Sequence, residues 1–542
     1  HLSVRAAPPP ARPAVHPSGR GWLPPNPPTA APRGGVLVGS GSGGPPASDA
    51  RLTPPPAGIG GNFYGVHMGA ARGAGPPAAA SPTGRAAGAA SPPAEAPAPV
   101  PVGGALWPLG ELVPSERAVA ENGASASSEP SLVVFSGGTA FNAVAPTLQK
   151  WTRRVAHVLP VSDDGGSTAE IVRVLGGPAV GDIRSRCLRL SDTGCAETRA
   201  VDRLLAYRLP KDDGTEARRE WTEIVEGHHG VWEGISGPYK DTVRAFLVHF
   251  QSEILRQGNE ARFNFANGSV GNFFFAGART FFNSLEAAIF LFSRVARIPE
   301  GSTVLPVVST NERLALGAEL RDGTVIQGQN NISHPAAAGA GTEVAKGAYE
   351  PLPSPIRRVF YLSTDSSNPE HEVCPEVNPS VLAELRDCEA VVYGMGSLYT
   401  SLCPSFVLQG VGEELASLEG VPKVLILNSW HDREIHDYSA TQCVLAVQDS
   451  LNRAFSSRGQ AEAGEALGPT PGALNHPVSK YVTHVIAPRR GSVFQGEKDR
   501  ADLTQLGIGS ILEVETQDAG GGRRTFVPEA LVAALQGIVT ID

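Results

Sequence analysis

Two consecutive segments of this sequence each run from an apolar strand through a glycine loop into a helix, and this order constrains the fold most. The first strand, residues 131–135, ends in Ser-Gly-Gly-Thr at 136–139. The second, residues 156–161, ends in Ser-Asp-Asp-Gly-Gly-Ser at 162–167. Short apolar strands without polar alternation are typical of parallel sheets covered by helices on both faces. The pattern predicts an α/β fold with a Rossmann-like, doubly wound, mainly parallel sheet.

The rest of the chain predicts a helical insertion followed by a return to the sheet. Helices are predicted at residues 199–208, 241–257, 271–282 and 284–296. Strands 314–320 and 324–328 flank Arg-Asp-Gly, a tight hairpin signal. The sheet is then expected to resume with strands at residues 356–362, 390–393, 423–427 and 481–487. The strand at 390–393 leads directly into a third glycine loop.

Residues 1–128 differ in composition from the rest of the chain. They are rich in Pro, Ala, Gly and Ser, which bury too little apolar area to offset the entropy of ordering, so they predict a disordered tail. Residues 1–94 carry seven arginines and one acid, as in an organellar transit segment, so a plastid or mitochondrion is open beside the cytoplasm. An α/β domain is expected over residues 130–542, with low-complexity insertions near 334–355 and 456–478.

Charge and cysteine usage exclude several classes of protein. The net charge is −9, and residues 1–94 contribute +6, which leaves −15 for the remainder. A body this acidic is not expected to bind nucleic acid. Its six cysteines have no zinc-finger or disulfide-framework spacing and predict reduced thiols in an intracellular protein. No apolar run approaches the roughly 18–20 residues that span a bilayer, so no membrane association is expected.

The glycine loops predict a phosphate site. Gly137, Gly138 and Thr139 end a buried strand and open a helix, where close backbone approach and N–H groups at the helix start favour an anion. An ordinary turn between strand and helix explains them equally. The same argument applies to Gly394 and Gly396 with Ser397.

Two adjacent carboxylates, Asp163 and Asp164, follow the second strand. They repel each other, but a Mg²⁺ ion that bridges them to a diphosphate would justify the pair. They are the predicted catalytic and metal-binding residues. The alternative is that Asp163 caps a turn while Asp164 faces solvent.

Polar residues in the helical insertion complete the candidate site. Arg184, two residues after a predicted N-cap at Asp182, is placed to reach phosphate oxygens, or else belongs to a solvated helix face. Asn267, Ser269 and Asn272 lie within an aromatic stretch, where buried polar groups need partners and a ligand would supply them. The aromatic residues themselves are expected to form core.

Six motifs occur together and in this order along the chain. They begin at residues 136 (SGGT), 163 (DDGGS), 181 (GDIR), 267 (NGSVGN), 318 (AELRDG) and 394 (GMGSLYTS). This set resembles the CofD superfamily over about residues 130–540. That superfamily includes 2-phospho-L-lactate transferase and the YvcK-type gluconeogenesis factors. The resemblance implies a Rossmann-like parallel sheet with an inserted helical part.

The two branches of that superfamily imply different functions. The transferase branch implies Mg²⁺-dependent transfer of a phospho-acid group from a nucleoside-diphospho donor to an acceptor hydroxyl. The YvcK-type branch implies a non-catalytic regulator that binds a UDP-sugar, and the DDGGS and GDIR motifs resemble this branch more. Carried over by motif, Gly137, Gly138 and Thr139 would face phosphate, Asp163 and Asp164 the metal or acceptor. Asn267, Ser269 and Asn272 would line the centre, and Gly396 and Ser397 would hold nucleotide phosphates. A homo-oligomer is left open.

Overall fold

The computed structural model describes residues 129–258, 263–334, 350–363, 371–453, 473–520 and 523–541. They all belong to the second of two compact units of the chain, Glu116–Asp542. The predicted tail over residues 1–128 and most of both predicted insertions lie outside the described residues.

Thirteen strands occur in these described residues. They are β1 (Leu132–Phe135), β2 (Val155–Leu159), β3 (Ser302–Pro306), β4 (Leu314–Leu320), β5 (Val325–Gln327), β6 (Ile356–Ser363), β7 (Glu372–Val373), β8 (Ala390–Tyr393), β9 (Lys423–Ile426), β10 (His484–Pro488), β11 (Ser510–Val514), β12 (Thr516–Gly520) and β13 (Arg523–Phe526).

Seven of the strands form a parallel sheet in the order β3-β2-β1-β8-β9-β10-β11. Chain order runs outward in both directions from the β1/β8 pair, as in doubly wound Rossmann sheets. The prediction of a Rossmann-like, mainly parallel sheet is therefore confirmed. Phe135 pairs with Val158 on one side and Tyr393 on the other. The loops that follow β1, β2 and β8 consequently leave the sheet at one edge.

Helices cover both faces of this sheet and form the insertion. They are α1 (Ala145–Trp151), α2 (Gly166–Leu175), α3 (Gly181–Arg189), α4 (Ala196–Ala206), α5 (Gly214–Glu226), α6 (Gly237–Arg256), α7 (Val270–Phe282), α8 (Leu285–Val295), α9 (Gln329–Ser333), α10 (Pro379–Arg386), α11 (Cys403–Phe406), α12 (Val411–Ser417), α13 (Ala440–Asn452), α14 (Val478–Tyr481), α15 (Glu497–Gln505) and α16 (Pro528–Ile541). Short 3₁₀ turns lie at Phe141–Ala143 and Gly230–Trp232, and a π-helical turn lies at Leu398–Leu402.

The predicted helical insertion is α2 to α8, between β2 and β3. Its centre is aromatic: Trp221 stacks with Phe265 at 5.6 Å between ring centroids and meets Phe273 edge-on at 4.9 Å. Phe250 stacks on Phe273 at 4.7 Å. The aromatic stretch is therefore core from Phe263 to Phe275, as the sequence predicts, and packs α7 against α6, whereas Phe281 and Phe282 at the end of α7 are exposed.

One predicted strand belongs to a different sheet. The strand expected at 356–362 in the central sheet is β6, which pairs antiparallel with β4 and β7 in a four-stranded sheet. The placement in the central sheet is therefore wrong. An apolar strand is buried in either sheet, so its sequence does not specify its partner. The predicted hairpin between β4 and β5 is confirmed: Leu320 N–H donates to the Thr324 carbonyl at 2.8 Å.

Two further observations concern the cysteines and the helices. All six thiols are free; the buried ones are Cys187, Cys388, Cys403 and Cys443, and the exposed ones are Cys195 and Cys374. Among the described residues, no helix is both long enough and apolar enough to cross a membrane.

Candidate functional site

The glycine loops that follow β1 and β8 meet at the centre of the sheet edge. A Cβ atom on Gly394 would lie 2.7 Å from Phe141 Cδ2 and 3.1 Å from Ser136 Cβ. A Cβ atom on Gly137 would lie 2.6 Å from the Ser401 hydroxyl oxygen. The distances of 2.7 and 2.6 Å are shorter than real Cβ contacts, so glycine at both positions lets these loops approach so closely. The two loops thus form one surface at the switch point of the strand order, where doubly wound sheets bind ligands.

The fully buried Arg186 holds the loop that follows β1 through hydrogen bonds. Arg186 Nη2 donates to the Ser136 hydroxyl at 3.0 Å and to the Gly137 carbonyl at 3.1 Å. Its Nε donates to Asn142 Oδ1 at 2.7 Å, and Nη1 lies 2.9 Å from His157 Nδ1. Burial, with the Arg186 charge, holds the pKa of His157 well below its usual range, so the imidazole is neutral and accepts this bond. Arg186 is therefore a structural support of the loop.

Asp182 holds the other side of the same peptide. Its carboxylate accepts the Gly138 N–H, and a Cβ atom on Gly138 would lie 2.0 Å from Asp182 Oδ1. Asp182 was expected to cap α3, but the cap position is Val180, and Asp182 lies in the first turn. The peptide between Gly137 and Gly138 is thus held on both sides, while Thr139 is exposed at the rim.

The Asp163 carboxylate lies near the Asp182 carboxylate, which affects its pKa more than the adjacent Asp164 does. Burial and the nearby Asp182 carboxylate raise the pKa of Asp163 to about 7. Asp163 Oδ1 accepts the Gly165 N–H at 3.1 Å and lies 3.5 Å from Gln329 Nε2. A partly buried carboxylate whose proton affinity is raised by burial and by a second carboxylate nearby is a candidate site for either a proton or a cation.

Asp164 points to a different element. Its Oδ1 accepts the Asn330 N–H at 2.7 Å, so Asp164 caps the short helix α9. Within the residues that the structure describes, no three His, Cys, Asp or Glu side chains are grouped to hold a metal ion by themselves. Mg²⁺ nevertheless commonly binds through one or two carboxylates and completes its shell with water and phosphates. The pair Asp163 and Asp182 fits that donor set.

Arg184 and Asn272 form a polar bridge from α3 to α7. Arg184 Nε donates to Asn272 Oδ1 at 3.0 Å, and Asn272 Nδ2 donates to the Ser167 hydroxyl at 2.9 Å. Burial, followed by the Arg208 charge, lowers the pKa of Arg184 to about 10. The structure thereby joins predicted site residues of the insertion to the DDGGS loop.

Asn267 and Ser269 shape the turn before α7. Asn267 has a positive φ of 56°, and its N–H donates to the Pro210 carbonyl at 2.8 Å. The buried Ser269 hydroxyl caps α7 by accepting the Asn272 N–H at 3.4 Å. The contacts of both residues thus serve to position Asn272.

Two residues that the sequence reasoning missed fix the β8 loop. Asn428, after β9, clamps the Gly396 peptide: its Oδ1 accepts the N–H at 3.1 Å and its Nδ2 donates to the carbonyl at 2.8 Å. The buried Glu434 carboxylate accepts the N–H groups of Tyr399 and Thr400 at 2.9 and 3.1 Å. Burial, followed by Asp432, raises the pKa of Glu434 to about 8. Glu434 thus occupies the acceptor position at the π-helical turn, whereas Gly396 and Ser397 remain partly exposed.

The strand order and the paired glycine loops define a class: an α/β protein of Rossmann topology with two glycine loops in contact at its switch point. The family model described as 2-phospho-L-lactate transferase CofD matches residues 132–490. The chain therefore belongs to the CofD family.

Similar proteins agree with this assignment. The uncharacterized protein YNL011C of Saccharomyces cerevisiae is 33% identical over 387 residues, which are 61% of this chain and 85% of that protein. A putative gluconeogenesis factor of Clostridium acetobutylicum is 25% identical over 318 residues, and the match spans 59% of this chain and 52% of the bacterial protein. The crystal structure of a UPF0052 family member from Bacillus halodurans covers 75% of this chain and 99% of its own, with a TM-score of 0.50 at 18% identity. This last likeness concerns the fold.

Proposed function

We propose that the cleft at the carboxyl ends of β1 and β8 binds a nucleoside diphosphate conjugate, and that the protein transfers a phospho-acid group from it to an acceptor hydroxyl. The observation that carries this proposal is the contact between the two glycine loops, with Gly394 against Ser136 and Gly137 against Ser401. Such contact brings the two loops to one switch point, where a diphosphate could approach both of them through backbone N–H groups other than those of Gly138 and Gly396, which donate to Asp182 and Asn428.

The residues around the loops suit this chemistry. Arg184 supplies a partly buried guanidinium, and Asp163 with Asp182 would hold a Mg²⁺ ion. When bound, Mg²⁺ neutralises charge on the diphosphate and on the group in transfer. Transfer of this type needs positioning and charge stabilisation more than covalent help.

The proposed reaction is a displacement at phosphorus. The acceptor oxygen forms a bond to the phosphorus of the phospho-acid group as the bond from that phosphorus to the nucleotide oxygen breaks. A nucleoside monophosphate leaves. We assign the acceptor proton to Asp164, through the carboxylate oxygen that does not accept the Asn330 N–H, while the adjacent Asp163 would hold the ion.

A second candidate is a regulator that binds a UDP-sugar without turnover. It is favoured by the names of relatives such as the Clostridium acetobutylicum protein, a putative gluconeogenesis factor. Both candidates use the same cleft and differ only in whether the bound conjugate is consumed.

Calorimetry and product analysis separate these candidates. The full chain is titrated with UDP-glucose, UDP and GDP, with and without Mg²⁺. Conjugates that co-purify are identified by mass spectrometry and incubated with a deproteinised cell extract as a source of acceptors. Binding with release of a nucleoside monophosphate supports transfer, and binding of a UDP-sugar without release supports the regulator. Absence of nucleotide binding contradicts both.

A matched pair of variants locates the binding. Asp163→Asn should weaken Mg²⁺-dependent binding at least ten-fold. Asp213→Asn, which alters an exposed carboxylate that caps α5, should leave binding unchanged. Equal affinities for the two variants would contradict the assigned site.

A further inference from the structure

Trp430 is an aromatic residue that has no role in the proposed phosphate site. It lies in the loop that follows β9, at the carboxyl edge of the central sheet, and is half-buried. Among the described residues, the partly buried apolar side chains that pack against the core do not include it. The Arg523 guanidinium lies over its ring, 5.9 Å from the centroid. A half-buried aromatic side chain at this edge of the sheet keeps part of its ring available for contact with a ligand.

The backbone on both sides of Trp430 is anchored to one segment. The Ser429 carbonyl accepts the Ser492 N–H at 3.1 Å, and the His431 N–H donates to the Ser492 hydroxyl at 3.0 Å. A Cβ atom on Gly491 would lie 2.5 Å from the Ser429 carbonyl oxygen, so the two loops pack closely. Trp430 is thus presented from a fixed loop, which reduces the entropy lost when a ligand stacks on it.

The position of Trp430 relative to the glycine loops is also constrained. Asn428 clamps the Gly396 peptide, and Trp430 follows Asn428 by two residues. Two residues of chain reach at most about 7 Å, so the Trp430 backbone lies close to the loop proposed to hold phosphate. Because β9 pairs with β8, Trp430 lies on the β9 side of that loop.

We propose that Trp430 is the platform on which the nucleobase of the bound ligand stacks, with the Arg523 guanidinium helping to hold the indole ring. This inference rests on the proposed function and adds the subsite for the base. Every base has a π-face, and stacking on tryptophan is tolerant of base identity. The glycine loops would therefore select the diphosphate, and Trp430 would select nucleosides over other diphosphates.

The test compares a nucleotide with a ligand that has no base. Wild type and the Trp430→Ala and Trp430→Phe variants are titrated with UDP, GDP, ADP and inorganic pyrophosphate in Mg²⁺. Trp430→Ala should weaken the tightest nucleoside diphosphate about ten-fold or more, the loss seen when a stacking aromatic is removed. Pyrophosphate affinity should stay within about two-fold, because that ligand has no base to stack. Trp430→Phe should retain most nucleotide affinity.

A matched control and a spectroscopic readout keep the inference falsifiable. Phe290 on α8 is 63% exposed and carries the Arg294 guanidinium over its ring at 5.2 Å, so Phe290→Ala removes a similar pair outside the cleft and should change neither affinity. Base stacking should also quench tryptophan emission in wild type, and Trp430→Phe should abolish that quench while it still binds.

The outcomes distinguish this inference from the proposed function. If wild type binds nucleotides and pyrophosphate, and Trp430→Ala binds both as tightly, the base platform is overturned while the phosphate cleft stands. Equal losses for nucleotide and pyrophosphate would make Trp430 a support of the loop and would also overturn it. If Trp430→Ala does not fold, a quench that persists in Trp430→Phe overturns the inference. If wild type binds neither ligand, the proposed function fails with it.

Discussion

Replacing Arg186 with methionine should reveal how much the β1 loop depends on the buried cation beneath it. Methionine fills a similar volume but makes none of the hydrogen bonds that Arg186 makes. The carbonyl of Gly137, the hydroxyl of Ser136 and the amide oxygen of Asn142 would lose their donor in a site that excludes water. The nearby Asp182 would also lose the positive charge that helps to offset its burial.

The size of the effect follows from these contacts. Each buried polar group left without a partner costs about 1–3 kcal/mol, although relaxation recovers part of this. Removal of one member of a buried charged network costs about 3–5 kcal/mol. Arg186→Met should therefore lower the free energy of unfolding by about 3–5 kcal/mol. Because the Gly137 carbonyl loses its anchor, the remaining folded protein should also bind nucleoside diphosphates more weakly.

Urea unfolding followed by circular dichroism measures the first effect. The matched control is Arg173→Met, since Arg173 is 52% exposed and pairs with Glu170 on the surface of α2. That variant should lose less than about 1 kcal/mol, as exposed ion pairs do. If Arg186→Met also falls within about 1 kcal/mol of wild type, the reasoning about the loop is refuted.

Three further predictions concern residues around the cleft. Gly138→Ala would place a Cβ atom 2.0 Å from Asp182 Oδ1, so it should destabilise the fold by about 2–4 kcal/mol and weaken nucleotide binding. Asp163→Asn should raise the free energy of unfolding by about 2 kcal/mol at about pH 8 and by much less at about pH 5. The reason is that a pKa raised to about 7 makes the wild-type fold lose stability as pH rises from the unfolded pKa towards 7. Glu434→Ala should cost about 2–4 kcal/mol because it leaves the N–H groups of Tyr399 and Thr400 without an acceptor, whereas Glu434→Gln should cost less than about 1 kcal/mol.

Each of these three has an outcome that would contradict it in unfolding experiments. Gly214→Ala, at a helical glycine with open space around it, should be neutral or slightly stabilising, and equal effects at Gly138 and Gly214 would contradict the steric argument. A stability difference between Asp163→Asn and wild type that does not change with pH would contradict the raised pKa. Equal losses for the two Glu434 variants would show that charge, rather than hydrogen bonding, is what the turn requires.

The parts of the fold that the sequence predicts are those that short segments encode. The apolar strands β1, β2 and β8 and their glycine loops are recognisable because strand, turn and helix signals are consecutive in the chain. The partner of β6 was not predictable, because burial in the antiparallel sheet and burial in the central sheet select the same residues.

The candidate site was partly predictable for the same reason. Gly137, Asp163 and Gly396 belong to motifs that are continuous in sequence. Asp182 holds the Gly138 N–H from 44 residues away, and its sequence suggested only a helix cap. Asn428 and Glu434 reach the β8 loop across 32 and 35 residues, and neither belongs to a motif. Contacts of this kind depend on which strands are neighbours, which a single sequence does not state.

A crystal structure of the full chain with Mg²⁺ and the tightest-binding nucleoside diphosphate tests the central claim most directly. We expect the phosphates to lie within hydrogen-bond distance of the loops at residues 136–139 and 394–398, through backbone N–H groups other than those of Gly138 and Gly396, which donate to Asp182 and Asn428. The metal ion should contact Asp163. A diphosphate bound in a different cavity, with no ligand at the loops that follow β1 and β8, would contradict the proposed site. The cavity of about 420 Å³ lined by Arg153 and Arg297 is one such place.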